Sequence, residues 1–377
     1  MFRLFENRIN PYPEAEPALP PRRFLAFVWA CTEGVRGGVA ALAALAAGRA
    51  AYDAALFAIL GLVVDWLTQT GPDHFWAVHG GHLALLAALM LASIGLIALQ
   101  TVVKHQLLAI NFPMRLRWNF HRLMLGQSMS FYADEFAGRI TTKMQAALAV
   151  RDMVFASADV VIGMGIYLVV IFSLAAGFEG WLALPFVLWA LGYGAACWYF
   201  VPRLGRVGAA QADARSVMTG RITDAYTNIA TVKLFAHGKR EQAFARQAME
   251  EFRATGFAQM RLISALDIVN HTLIVLLIIS SCGLAVWLWS QGQTGAGAVA
   301  AVTAMALRLA GMSHWVIWEL TGLFENVGTV QDGINTLTRV PDVVDAPDAR
   351  PLQVQHGQVR FENVCFAYRD GKRAVIE

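Results

Sequence analysis

Charge is what this sequence has least of. Only 15% of its 377 residues are Asp, Glu, Lys or Arg, against about 25% in an ordinary soluble domain. Cysteine is nearly absent too. Cys31, Cys197, Cys282 and Cys365 stand far apart with no CxxC and no Cys/His cluster, so the thiols read as small apolar side chains rather than a disulfide framework or a zinc site. No signal-peptide core occurs in residues 1–23, where Pro11, Pro13, Pro17, Pro20 and Pro21 crowd together; the segment reads as an uncleaved cytoplasmic lead-in. Thirty basic and 27 acidic residues nearly cancel to +3, which leaves no electrostatic footprint for nucleic acid. What fills the sequence instead is apolar: 57% of the side chains, with a positive mean hydropathy. That composition excludes a soluble enzyme and indicates a polytopic membrane protein.

A helix needs about 20 residues to cross the hydrocarbon, and apolar runs of that order occupy 39–67, 83–103, 160–178, 181–201, 268–290 and 296–318. They lack the short alternating pattern of barrel strands, so the expected fold is all-α. The connections after the first, third and fifth runs hold no Lys or Arg; those after the second and fourth are rich in both, from Lys104 to Arg151 and from Arg203 to Arg261. The positive-inside rule then places both termini in the cytoplasm of a multi-pass inner-membrane protein. Trp66, Trp76, Trp181, Trp287 and Trp289 gather at the opposite ends, as an aromatic belt does.

The outer connections read as about fifteen, two and about five residues, whereas the basic ones cover 104–159 and 202–267. Structureless loops of the latter length are improbable in a compact fold. The second to fifth helices are therefore expected to continue past the bilayer and to turn back at short elements within 130–139 and 222–232. Roughly 25 residues of such a helix reach about 37 Å. The membrane domain covers 24–340. A polar linker follows over 341–356, where Pro341, Pro347 and Pro351 alternate with Asp342, Asp345 and Asp348. Over 358–368 the residues Val359, Phe361, Val364, Phe366 and Tyr368 alternate with polar ones, a strand signal, so 357–377 reads as the start of a soluble domain of a longer protein.

Ser130-Phe131-Tyr132 with Gly138-Arg139-Ile140, the stretch Ile229-Ala230-Thr231-Val232-Lys233-Leu234-Phe235, and Gly357-Gln358-Val359-Arg360-Phe361-Glu362-Asn363-Val364-Cys365-Phe366-Ala367-Tyr368 together resemble the half-transporters of the ATP-binding cassette (ABC) superfamily. More narrowly, the chain is similar to the exporter-type (type IV) membrane domain of multidrug and lipid exporters, followed by the first β-strands of a truncated nucleotide-binding domain. The resemblance implies six transmembrane helices with cytoplasmic extensions and two coupling helices. Phe131, Tyr132, Asp134 and Glu135 would serve the first, and Tyr226, Asn228 and Thr231 the second. It implies that Tyr368 stacks on adenine, with ATP and Mg as cofactors of the full-length protein. It also implies a second half-transporter as partner in a homodimer, with membrane lipid and a small amphiphilic substrate as the other contacts. The chain departs from the family where the chemistry lies: no GxxxxGK[ST] phosphate loop, no LSGGQ-like signature and no Mg-binding or catalytic carboxylate motif occurs. Hydrolysis is thus expected of the full-length translocase, and neither a catalytic residue nor a bound cofactor of this stretch.

Ionisable residues inside a span are functional candidates, since an unpaired one costs at least about 2.5–3.5 kcal/mol in lipid. Arg49 and Asp53 sit one turn apart and can satisfy each other. Alternatively, Arg49 and Arg308, both near mid-membrane, face a central cavity and meet an anionic part of the substrate. His314 and Trp315, one to two turns from Arg308, extend that candidate site. His74, His79 and His82 show no fourth ligand, so no metal site is assigned. The leading reading is an ATP-driven exporter of amphiphilic or hydrophobic substrates working by alternating access. The alternatives are a lipid or lipid-linked-sugar flippase, a metal–thiol-conjugate exporter, and, in a different class, a non-pumping scaffold, channel or receptor.

Overall fold

An N–H or C=O left unpaired in hydrocarbon is so costly that a long apolar run folds as a helix, which pairs its own main chain. The computed structural model of this chain describes residues 2–134, 144–343, 348–350, 356–364, 366–367 and 374–376. Among them six helices are long and apolar enough to cross a membrane: Arg36–Gln69, Pro72–Leu125, Ala146–Phe178, Gly180–Thr227, Gly238–Ser290 and Ala296–Leu337, the first to sixth helices below. Each apolar run of the sequence falls inside one of them. The fifth has 53 residues and so spans about 80 Å at 1.5 Å per residue, far more than the roughly 30 Å of hydrocarbon. The fourth and fifth helices pack alongside one another over their basic halves, where Arg221 lies 4.1 Å over the Phe244 ring and donates to the Phe244 carbonyl at 3.0 Å.

The connections differ from expectation in two places. Only Thr70 and Gly71 separate the first and second helices, where about fifteen residues were expected. Pro72 takes the first helical position, where its missing N–H is no loss, and residues 72–82 add about three turns beyond the apolar run. At the other end the fourth helix continues through Thr227, so half of the stretch 222–232 is still that helix. Nothing in Ile-Thr-Asp-Ala-Tyr-Thr breaks it. The break comes at Asn228, whose side chain donates to the Asp224 carbonyl at 3.0 Å and competes with the main-chain ladder. The turn back is Ile229–Leu234. Its counterpart between the second and third helices is Met129–Asp134; residues 135–139 of the expected element lie outside the described residues.

The N-terminal segment is strapped to the second helix. Prolines hold it extended, so its carbonyls have no helical partners, and side chains supply them. Asn111 donates to Glu6, Arg115 to Asn10, Trp118 to Pro13, and Arg122 to Pro13, Glu14 and Ala15, at 2.7–3.2 Å. Two apolar cores follow one another along the bundle. One, at the basic end, joins Phe27, Leu108, Phe112, Phe131, Val150, Val330 and Leu337; the other joins Tyr167, Ile171, Phe186, Leu277, Met305 and Leu309. The first and sixth helices meet at Gly61 and Gly297, where Asp65 accepts the Gly297 N–H at 2.8 Å and so caps the sixth helix. A Cβ on Gly297 would lie 2.6 Å from the Asp65 carboxylate and overlap the Gly61 carbonyl.

Residues 341–377 form a separate compact unit. In it Phe366–Ala367 and Ala374–Ile376 pair antiparallel. Of the expected strand over 358–368, Phe366 and Ala367 lie in this ladder, residues 358–364 are described without strand pairing, and Cys365 and Tyr368 lie outside the described residues.

Two measurements check this packing. Gly297→Ala is expected to lower the melting temperature by several degrees, at the about 1–3 kcal/mol typical of overpacking, while Gly283→Ala, whose Cβ meets nothing within 4 Å, leaves it unchanged or raises it. Cys31 is buried in the basic-end core, and burial pushes its thiol from 9.0 up to about 12. An accessible thiol alkylates about tenfold faster per pH unit up to its pKa. Cys31 is therefore expected to stay unreacted with a maleimide from pH 7 to 9 and to react once the chain is denatured.

A polar cavity between four helices

Four helices each turn one stripe towards a common cavity of about 400 Å³. The first helix contributes Ala46, Arg49, Ala50 and Asp53; the second Gln100, Thr101, Lys104 and His105; the third Asp159, Gly163, Met164 and Tyr167; the sixth Arg308, Gly311, Met312 and Trp315. The spacings within each set are those of a single helical face. Alanine and glycine at 46, 50, 163 and 311 leave the room that larger side chains would fill.

Inside this space the charges sort themselves. Arg49 and Asp53 are 3.7 Å apart on one helix. Lys104 and Asp159 meet at 2.6 Å across two helices, both about three-quarters buried. Each stands in a π-helical stretch, Val103–Leu108 and Ser157–Met164 respectively. A π turn shifts the side chains after it relative to an α-helical register and is frequent at functional sites. Arg308 lies beside Tyr167, and among the described residues no carboxylate pairs with it. Three cations thus face two anions. Gln100 Oε1 is also buried here with no hydrogen-bond partner among the described residues.

Arg49, Asp53, Arg308 and Trp315 are therefore brought together around one cavity, with Arg49 and Asp53 paired on their own helix. His314 is not: its Nε2 turns to Asp267 on the fifth helix at 3.9 Å, and its ring lies 3.5 Å from Asn270. It is the residue next to Trp315, and on a helix that single step rotates it about 100° away from the cavity. Sequence reasoning passed over Lys104, Asp159 and Gln100. Lys104 was counted among the orienting charges, and Asp159 stood just before an apolar run; their spacing of 55 positions gives no local signal.

Residues 39–311 match the family described as the ABC transporter transmembrane region. The chain belongs to that family. It is 47% identical over 369 residues to an uncharacterized ABC transporter ATP-binding protein of Haemophilus influenzae, covering 98% of this chain and 60% of that protein. A β-(1→2)glucan export ATP-binding/permease protein, NdvA, of Bradyrhizobium diazoefficiens is 30% identical over 171 residues, 43% of this chain and 27% of that one. Among solved structures, a bacterial Atm1-family ABC exporter with ATP bound aligns at a TM-score of 0.63 with 18% identity, over 87% of this chain and 59% of that chain. The ABC transmembrane region described here thus spans about 60% of the length of its full-length relative.

In this ABC transmembrane region the two turning elements differ in exposure. Phe131 is buried in the basic-end core with the Arg339 guanidinium 5.3 Å over its ring, and the Tyr132 hydroxyl donates to the Met124 carbonyl. Asp134 ends that short helix, and Glu135 lies outside the described residues. At the second element Tyr226, Asn228 and Thr231 are all exposed. Among the histidines at the start of the second helix, His79 bonds Thr70 at 3.0 Å and stacks on Trp66, and no group of side chains in the described residues is arranged to hold a metal.

Lys104→Met and Asp159→Asn are each expected to destabilise the chain by roughly 1–3 kcal/mol, since each leaves a desolvated partner unpaired. The double variant is expected to lose less than the sum of the two, which a double-mutant cycle on melting temperature reads directly.

Proposed function

We propose that this chain is the membrane part of an ATP-driven exporter, and that its cavity carries an amphiphile with an anionic group. The observation that supports this most is the meeting of Arg49, Asp53, Arg308 and Trp315 in one space, where Arg308 has no carboxylate partner among the described residues. A guanidinium donates up to five N–H groups in a plane that suits carboxylate or phosphate. Met164, Met312 and Trp315 offer adaptable apolar surface for the rest of such a molecule. A neutral glucan leaves Arg308 unmatched, which favours an anionic amphiphile over the cargo named for NdvA.

In this reading the lysine- and arginine-rich helix ends lie in the cytoplasm of an inner-membrane protein. A nucleotide-binding domain completes the protein beyond the linker, binding ATP and Mg with Tyr368 against the adenine. Two copies pair, so that two sets of six helices enclose the pathway. Closure of the nucleotide-binding domains reaches the bundle through Met129–Asp134 and Ile229–Leu234 and alternates its access. Export is supported by the likeness to NdvA, a glucan export protein.

The test uses the complete protein in proteoliposomes with a panel of anionic, neutral and cationic fluorescent amphiphiles. Arg308→Ala is expected to lower ATP-dependent transport of the anionic members about tenfold, the scale of one charge-assisted hydrogen bond, and to leave neutral ones within about twofold. Unchanged anionic transport would sink the cavity assignment. Absence of a phosphate loop downstream in the complete gene would sink the pump and favour a scaffold, channel or receptor.

A further inference from the structure

Just before the first helix, Phe24–Cys31 forms a separate short helix with two unlike faces. Phe27 and Cys31, one turn apart, are buried in the basic-end core. On the other side Leu25 and Trp29, also one turn apart, are 80% and 62% exposed. The helix is set off from the first one by a tight turn. Thr32 Oγ1 donates to the Trp29 carbonyl at 2.7 Å, and Gly34 adopts φ +79 where a Cβ would come within 2.6 Å of the Arg115 guanidinium. Three exposed arginines neighbour this face, two in sequence and one in space. Arg22 and Arg23 precede the helix, and Arg36, the first residue of the membrane-spanning helix, lies 4.6 Å over the Trp29 ring. None of the three has a carboxylate partner among the described residues.

From this arrangement we propose that Arg22, Arg23, Leu25, Trp29 and Arg36 form a binding site for an anionic phospholipid at the membrane surface. The occupant follows from the chemistry. The face is continuous with the start of a membrane-spanning helix, so acyl chains are its nearest apolar neighbours. Tryptophan with an arginine on its ring is the pairing of the headgroup level, apolar in body and polar at the rim. Three unpaired guanidiniums ask for phosphate rather than for a zwitterionic or apolar neighbour. Each basic residue beside an anionic leaflet contributes about fivefold to affinity. Because the opposite face of the same helix packs in the core with the N-terminal strap, lipid bound there reports directly on how firmly that end of the bundle is held.

The experiment takes the purified complete protein in neutral detergent and titrates it with short-chain phosphatidylglycerol or phosphatidylcholine, reading melting temperature and lipid phosphorus retained on gel filtration. Phosphatidylglycerol is expected to raise the melting temperature at concentrations where phosphatidylcholine does not. The difference is expected to shrink by at least half in about 0.5 M salt, where charges are screened within a few ångströms. The triple variant Arg22→Gln, Arg23→Gln, Arg36→Gln should need at least about tenfold more phosphatidylglycerol for half the shift, while Leu25→Ser with Trp29→Ser weakens both lipids. Equal responses to the two lipids, a salt-insensitive difference, or wild-type affinity in the triple variant would each overturn the proposal. So would a Leu25→Ser, Trp29→Ser variant that elutes as a smaller species with unchanged lipid binding, which would make the face a contact between protein chains. The salt series on the wild-type chain decides the matter even if a variant fails to fold.

Discussion

A charge carried into hydrocarbon has to meet an opposite charge, a dipole or water, and the middle of this molecule is arranged around that constraint. Arg49 answers it within its own helix, through Asp53. Lys104 answers it across helices, through Asp159. Arg308 has no carboxylate partner among the described residues and faces the cavity instead. The cavity and the charges therefore imply one another: small side chains open a space large enough for water, and only in such a space is a surplus cation tolerable. Closing the space with larger residues would strand Arg308, and removing the charges would leave a void between helices that lipid-facing packing has no reason to keep.

How much of this was legible in the sequence depends on the range over which each signal acts. The six crossings were legible because hydropathy over about 20 residues is a local property. Arg49 and Arg308 stood out as charges inside apolar runs, and Trp315 shares the cavity with Arg308 at helical spacing. The Lys104–Asp159 pair was not, because it joins residues 55 positions apart in two π-helical stretches that no residue type announces. His314 was placed wrongly for a simpler reason: adjacency in sequence puts it on a different face from Trp315. The two-residue turn before Pro72 was misread because polar His74, His79 and His82 look like loop, although a helix outside the hydrocarbon carries polar residues readily. The strap of residues 6–15 depends on carbonyls, which every sequence has and none advertises.

The sixth helix shows how the parts act together. At one end its N–H groups are capped by Asp65, and its backbone meets the first helix at Gly61 and Gly297. At the other, Val330, Ile334 and Leu337 lie in the core that holds Phe27 and Phe131. Just beyond that end the Arg339 carbonyl accepts a hydrogen bond from Gln127 at 2.9 Å, and its guanidinium lies over Phe131. Between the two anchors, Arg308, Gly311, Met312 and Trp315 line the cavity.

This geometry changes what Phe131 can do. An exposed aromatic on a turning element would receive a partner directly, but Phe131 is buried and touches the end of the sixth helix instead. Gln127 and Phe131 thus join the segment around Met129–Asp134 to Arg339, and Phe131 shares its core with Leu337. From Leu337 to Arg308 is about 44 Å of continuous helix, stiff enough to move as one body. The far end is held at a glycine contact with no slack for a side chain, and the residues of the sixth helix that line the cavity lie nearer that contact than to Leu337.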